Sequence, residues 1–298
     1  MTLLENDILS VSITPRVGGT ITDIRHKPSG LSVLGRVPWL HTDEPLPAAA
    51  QDEAEWLTRY TGGWPLLFPN AGDACTVDGV FHGFHGEASV SPWDVMSSNP
   101  TALHLEHRFA VIPARMRRTI TLVQDTLSIH EELAFTGNTS TDIMWGHHPS
   151  FGGDLLDGPV EITSGARDVR IEPIYAPPEG ANLMRPSTPF ASLAYLEGFQ
   201  EPWAMIRRRD DAIAVHLTWD ATRFPCAWLW HELEATSAAP YAGCTRLLAI
   251  EPCTTPCALG LAEAKRRGLP LLRLDPGQSY TGHIALRVFQ PTSQARLT

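Results

Sequence analysis

A large antiparallel β-sandwich is the fold class this sequence predicts, on three observations. Apolar residues recur with period two along most of the chain, turn-forming pairs separate those runs, and helical periodicity is scarce. Period two puts alternate side chains on opposite faces of a strand, one toward a core and one toward water or a second layer.

The runs come in order. Leu9, Val11 and Ile13 alternate with Ser10, Ser12 and Thr14. Leu103, Leu105, Phe109 and Val111 share one parity, and His104, Glu106 and Arg108 the other. Leu127, Ile129, Leu133 and Phe135 repeat the pattern, broken only by Glu131. Ile213, Val215, Leu217 and Trp219 follow, then Ile284, Leu286 and Val288. The joints are Gly18-Gly19, Gln124-Asp125, Gly137-Asn138, Gly152-Gly153 and Pro276-Gly277. Two helices are expected, one over Pro47 to Tyr60 and a short second one over Leu259 to Arg267, ended by Gly268. Pro173 to Pro202 is poor in periodicity and rich in proline, so it reads as a long excursion over one face. No linker, repeat or charge block interrupts the chain, and one domain over 1–298 is expected.

Bulk composition narrows the function. Hydrophobic residues at 43% and charged residues at 19% are those of a globular protein. Lys plus Arg is 23 against 33 Asp plus Glu, a net charge of -10, which argues against nucleic acid and against an anionic membrane as partners. The start carries Glu5 and Asp7 and no basic residue, unlike a secretory signal, and no apolar run reaches the length of a membrane span. Five scattered cysteines fit reduced thiols, so a cytoplasmic location is expected, with Cys253 and Cys257 structural.

Four stretches could carry chemistry. In Trp145-Gly146-His147-His148-Pro149-Ser150-Phe151, two adjacent imidazoles precede a proline that biases His148 to extended backbone at a strand end. Histidine titrates near about 6.5, so such a group can move a proton at working pH. The loop from Gly62 to Asp73 sets Trp64, Asn70 and Asp73 among turn residues. Phe81-His82-Gly83-Phe84-His85-Gly86-Glu87 offers two histidines three apart, on opposite strand faces, so one of them points into a given site. In Arg246 to Pro252, Glu251 ends an apolar run, where burial raises a carboxyl's pKa and makes it a better proton acceptor near neutrality. The set has no nucleophile elbow, phosphate loop or dinucleotide fingerprint.

In this order the motifs resemble those of the galactose mutarotase-like superfamily, the aldose 1-epimerases. His85-Gly86-Glu87 with Trp93 resembles the family's first His-Gly motif and the tryptophan after it. Gly146-His147-His148-Pro149-Ser150-Phe151 resembles its second, and Ile250-Glu251-Pro252 its late catalytic strand. Ile13 to Gly19 and Leu274 to Ser279 resemble its first hairpin and last turn, so the likeness spans nearly the whole chain. The resemblance implies a β-supersandwich and a cofactor-free mutarotase acting on a small sugar, as monomer or homodimer. It implies Glu251 as general base on the anomeric hydroxyl, His148 as general acid on the ring oxygen and His85 supporting that oxygen. Asn70, Asp73, His82, His147, Trp230 and Glu232 are the candidate sugar contacts. The sequence departs from the pattern at Ser150, where the family has tyrosine, and at Ala71, where an arginine follows the asparagine in galactose enzymes. His82-Gly83-Phe84 is an alternative first motif, as in hexose-6-phosphate mutarotases. Trp228 and Trp230 share a strand face, Trp228 more as core. Two other functions compete: a sugar-binding or sensing protein on the same scaffold, and a metal enzyme with His82, His85, His147 and Glu251 as ligands.

Overall fold

The computed structural model describes residues 1–291; the last seven positions of the expected 1–298 domain lie outside the described residues. Two large sheets dominate, and every strand pairing in them is antiparallel. The eight-stranded sheet runs Val160–Ser164, Trp203–Arg208, Ala214–Trp219, Ser279–Phe289, Thr126–Phe135, Ala114–Val123, Ala102–Arg108, Asp94–Asn99. The seven-stranded sheet runs Asp168–Ile171, Phe190–Glu197, Cys226–Leu233, Arg246–Cys253, Gly146–His147, Leu66–Leu67, with Ser150–Phe151 also paired to Arg246–Cys253. An N-terminal four-stranded sheet, from Thr2 to Ser32, adds its inner face to the same core.

The core is built by strand parity. Val11 and Ile13 from the first sheet, Ile129 and Leu286 from the eight-stranded sheet, and Leu229, Leu248 and Ile250 from the seven-stranded sheet are all buried in one cluster. The strand Thr126–Phe135 alternates as its sequence predicts, and Glu131 sits on the buried parity. In the seven-stranded sheet the opposite parity, Leu193, Tyr195, Trp228 and Cys253, forms a second, smaller cluster on the outer face. That outer face carries the site described below.

Two expectations need correction. The stretch Pro173 to Pro202 is not wholly an excursion: Phe190–Glu197 is an interior strand, paired on both edges. Both of its faces are largely covered, so it shows no alternation to read. The first helix spans only Glu53–Leu57, with the Asp52 side chain accepting from the Glu55 N–H. Before it, Leu46 N–H and Ala50 C=O bond to Val90 and Phe84, which pins that segment in a loop. The second helix, Gly260–Arg266, falls where the sequence places it. Cys253 and Cys257 are buried free thiols. Among the described residues no helix is long and apolar enough to cross a membrane.

Candidate active site

One cavity of about 880 Å³ opens on the outer face of the seven-stranded sheet. Its floor follows from register. Glu251 lies across from Trp228, Ala249 from Trp230, and Leu193 from Trp230, so one parity of three neighbouring strands faces the cavity while Ile250 and Leu229 face the core. Loops build the walls: Trp39, Glu53, Trp56, Asp73, Phe84, His85, Tyr175 and Tyr241 all line it.

Three titratable side chains converge at the inner end. His148 Nε2 stands 3.7 Å from Glu251 Oε1, beyond hydrogen-bond length, and the His85 and His148 rings cross edge-on with centroids 5.5 Å apart. All three are almost wholly buried. Glu251 Oε2 has no hydrogen-bond partner. A buried carboxylate without partners is costly, so burial holds the Glu251 carboxyl well above the usual carboxylate range. Burial also pushes His148 down to about 4 and His85 well below its ordinary value, the latter helped by the neighbouring His148. Burial thus favours the uncharged form of both members of the Glu251–His148 pair, which titrate together.

Each imidazole is oriented from behind. The Gly72 N–H donates to His85 Nδ1 at 3.0 Å and the His85 N–H donates back to the Gly72 carbonyl at 2.9 Å. Since a backbone N–H can only donate, the neutral His85 ring carries its proton on Nε2. His85 is held at φ +55°, a left-handed conformation costly for a non-glycine residue. A Cβ on Gly72 would stand 2.0 Å from the Ala258 carbonyl oxygen, so the clamp requires glycine there. Behind His148, Ser150 Oγ lies 2.9 Å from Nδ1, and Tyr60 Oη 2.5 Å from Ser150 Oγ. Burial keeps the Tyr60 phenol protonated, so it donates to Ser150. Ser150 Oγ then accepts from Nδ1–H while donating to the His148 carbonyl at 3.4 Å, or donates to Nδ1 of the other tautomer. In the Nδ1–H tautomer Nε2 is left free and faces Glu251, where it can take that carboxyl's proton.

The structure brings six of the sequence candidates to this cavity: Glu251, His148, His85, Trp230, Asp73 and Glu232. Trp230 meets His148 edge-on at 5.6 Å. Glu232 is less free than a sugar contact needs, since its oxygens accept from the Ala235 and Thr236 N–H groups and the Thr236 hydroxyl. Trp228 is buried and donates to the Thr255 carbonyl at 2.8 Å, yet its ring still forms part of the floor.

Three candidates stand elsewhere, and their expected sugar contact is corrected. His147 points to the other face of the sheet, as the strand neighbour of His148 must. There its Nε2 bonds Glu131 at 3.0 Å and its Nδ1 accepts from Trp64 Nε1 at 3.2 Å. Asn70 is fully buried: its Nδ2 donates to the Asp73 and Gly83 carbonyls and its Oδ1 accepts from the Leu261 N–H, so it shapes the loops that carry Asp73 and His85. His82 lies buried on a two-stranded ribbon opposite Cys75 and does not border the cavity. With His147 and His82 turned away, the expected metal set of His82, His85, His147 and Glu251 does not converge. Among the described residues no group of three or more His, Cys, Asp or Glu side chains is placed to hold a metal ion.

Sequence reasoning missed Tyr60, Trp56, Trp39, Tyr175, Tyr241 and Glu53, which reach the site from loops or a short helix without periodicity. It also missed what Glu87 does. Buried, that carboxylate accepts from the Ala110 and Val111 N–H groups and from His107, fixing the turn after His85.

Several solved structures share this fold. The chain is 17% identical to a galactose mutarotase related enzyme from Lactobacillus acidophilus, with 99% of each chain covered and a TM-score of 0.65. It is 14% identical to a galactose mutarotase-like protein from Clostridium acetobutylicum, over 97% of this chain and 95% of that one, with a TM-score of 0.68. The Slr1438 protein from Synechocystis sp. PCC 6803 is 19% identical, over 97% and 96%, with a TM-score of 0.72. At these identities the likeness establishes the galactose mutarotase-like sandwich fold. No curated protein matches the chain. The match that spans residues 5–288 is to a domain of unknown function, DUF4432, and the chain belongs to that family.

Proposed function

We propose that the protein is an aldose 1-epimerase-like mutarotase, interconverting the α and β anomers of an aldose by acid/base ring opening. The observation that supports it most is the buried pair Glu251 and His148, 3.7 Å apart and not bonded to each other, at the end of a sugar-sized, aromatic-walled cavity.

The chemistry balances on one shared proton. Glu251, as carboxylate, takes the proton of the anomeric hydroxyl; the C1–O1 bond becomes a carbonyl and the bond from C1 to the ring oxygen breaks. The ring oxygen takes the proton from His148 Nε2, and His85 donates its Nε2–H toward the same oxygen. This leaves neutral Glu251 and neutral His148, which is the resting state that burial favours. After rotation about C1–C2 the same two groups run the steps in reverse, with Glu251 now the acid. Sugar hydroxyls that donate to Glu251 would return the pair to the charged state the first step needs. No cofactor enters any step.

Anomer exchange measured by NMR on free aldoses tests the reading. Accelerated exchange that Glu251→Gln and His148→Ala abolish is the expected result. Calorimetric sugar binding without any acceleration would instead favour a binding or sensing protein.

A further inference from the structure

The charge of the cavity is one-sided. Four acidic side chains line it, Glu53, Asp73, Glu232 and Glu251, and no lysine or arginine is among the described residues that do. The histidines that line it, His85, His148 and His231, are all held below their ordinary range by burial, which disfavours a cation there. Arg59 and Arg267, on elements bordering the cavity, are each taken by a glutamate, Glu55 and Glu172.

The carboxylates differ in how they are occupied. Glu232 is consumed by its own turn. Glu53 and Asp73 stand at the mouth with almost nothing to balance them: Glu53 has one long hydrogen bond, 3.3 Å from Tyr241 Oη. Partial desolvation holds both carboxyls above their ordinary range, and repulsion from Asp73 adds to the rise at Glu53. At the inner end, Glu251 is 2% exposed and its Oε2 is unpartnered in the same space. Between these ends the walls are π faces and edges: Trp39, Trp56, Trp230, Tyr175 and Tyr241.

We propose that this cavity receives a reducing sugar bearing a protonated amine, with Glu53 and Asp73 as the carboxylates that bind the ammonium. The inference rests on the mutarotase reading and narrows its substrate class. Carboxylates set among aromatic rings suit an ammonium group, which gains from both the charges and the ring quadrupoles. The same surface opposes a phosphate or carboxylate on the sugar, since like charges meet without a compensating cation. A metal ion is a poorer fit, because no described cluster of ligands is placed to hold one. Asp73 directly follows Gly72, the residue that clamps His85, so one loop carries both a carboxylate of the ammonium site and the clamp on His85.

The test compares anomer exchange of glucosamine, galactosamine and mannosamine with the parent hexoses, the N-acetyl sugars, glucose 6-phosphate and glucuronate, at a pH where the free amine is protonated. The N-acetyl sugars keep the nitrogen and remove the charge. The expected kcat/KM for an amine sugar exceeds that of its hydroxyl and N-acetyl counterparts by about tenfold, with the anionic sugars lowest. In the Glu53→Gln/Asp73→Asn double variant that ratio falls toward one; the wild-type N-acetyl comparison decides the matter even if this variant folds poorly. Equal rates for amine, hydroxyl and N-acetyl sugars would overturn the proposal and leave the mutarotase reading standing. Calorimetric binding selective for the amine sugar, with no exchange on any sugar, would support the ammonium site and remove the enzymatic reading. Absence of both exchange and binding would overturn both.

Discussion

Two histidine–glutamate pairs, rooted at adjacent residues at the end of one strand, show what separates a structural group from a reactive one. His147 and Glu131 lie on the core side, His148 and Glu251 on the cavity side. The core pair is bonded and charge-balanced: Nε2 meets Glu131 Oε2 at 3.0 Å, Trp64 satisfies Nδ1, Trp145 adds a hydrogen bond at 3.1 Å, and Oε1, which has no hydrogen bond, is ion-paired with Arg118 at 3.0 Å. Burial would raise the Glu131 carboxyl, but His147, Arg118 and Trp145 outweigh it and hold it below its ordinary range. The cavity pair is left open, 3.7 Å apart with no arginine beside the carboxyl, and burial wins there. The residue types are the same in both places. Reactivity follows from which pair the fold leaves unbonded and without a balancing cation.

Removing either member of the open pair is the largest expected effect. Glu251→Gln or His148→Ala should lower anomer exchange by about 10²–10⁴-fold, while the melting temperature holds or rises because an unsatisfied buried group has been removed. The mirror experiment is Glu131→Ala, which strands the Arg118 charge in the core. It should cost about 3–5 kcal/mol of unfolding free energy in urea melts and change activity per folded molecule far less than Glu251→Gln does. A stable, inactive Glu131→Ala protein would erase the distinction between the two pairs.

pH probes the same contrast. His148 and His231 are held near about 4 by burial, below the ordinary value of 6.5. As pH falls below 6.5 the unfolded chain takes up these protons first, so stability should decline from pH 6.5 to about 4 and flatten beneath. Replacing His231 with Phe should shallow that slope, read from melts across pH. Activity should show an acid limb near pH 4, where His148 gains a proton and the pair loses its base. The smallest effect is expected behind the ring. Ser150→Ala or Tyr60→Phe should slow exchange by about tenfold, the scale of one hydrogen bond, and shift the acid limb; a purely structural role would leave that limb in place.

The legible part of the molecule was whatever repeats or carries a motif. Strand parity exposes Val11, Ile129 and Leu286 as core, and the motif residues Glu251, His148 and His85 do meet in one cavity. Direction was harder to read. His147 and His148 look alike as a doublet, and only the strand geometry sends one to each face. Glu131 is visible as a break in alternation, but its partners Arg118, His147 and Trp145 come from other strands or loops. The strand Phe190–Glu197 hides because both its faces are largely covered. Tyr60, Glu53 and Tyr241 hide because loops and a one-turn helix place them, and such placement leaves no period in the sequence.

The most direct measurement is two-dimensional NMR exchange between the anomers of a panel of free aldoses, with wild-type protein and with Glu251→Gln. The account predicts enzyme-dependent exchange cross-peaks that vanish in a variant with an unchanged melting curve. Exchange at the same rate in both proteins would contradict it.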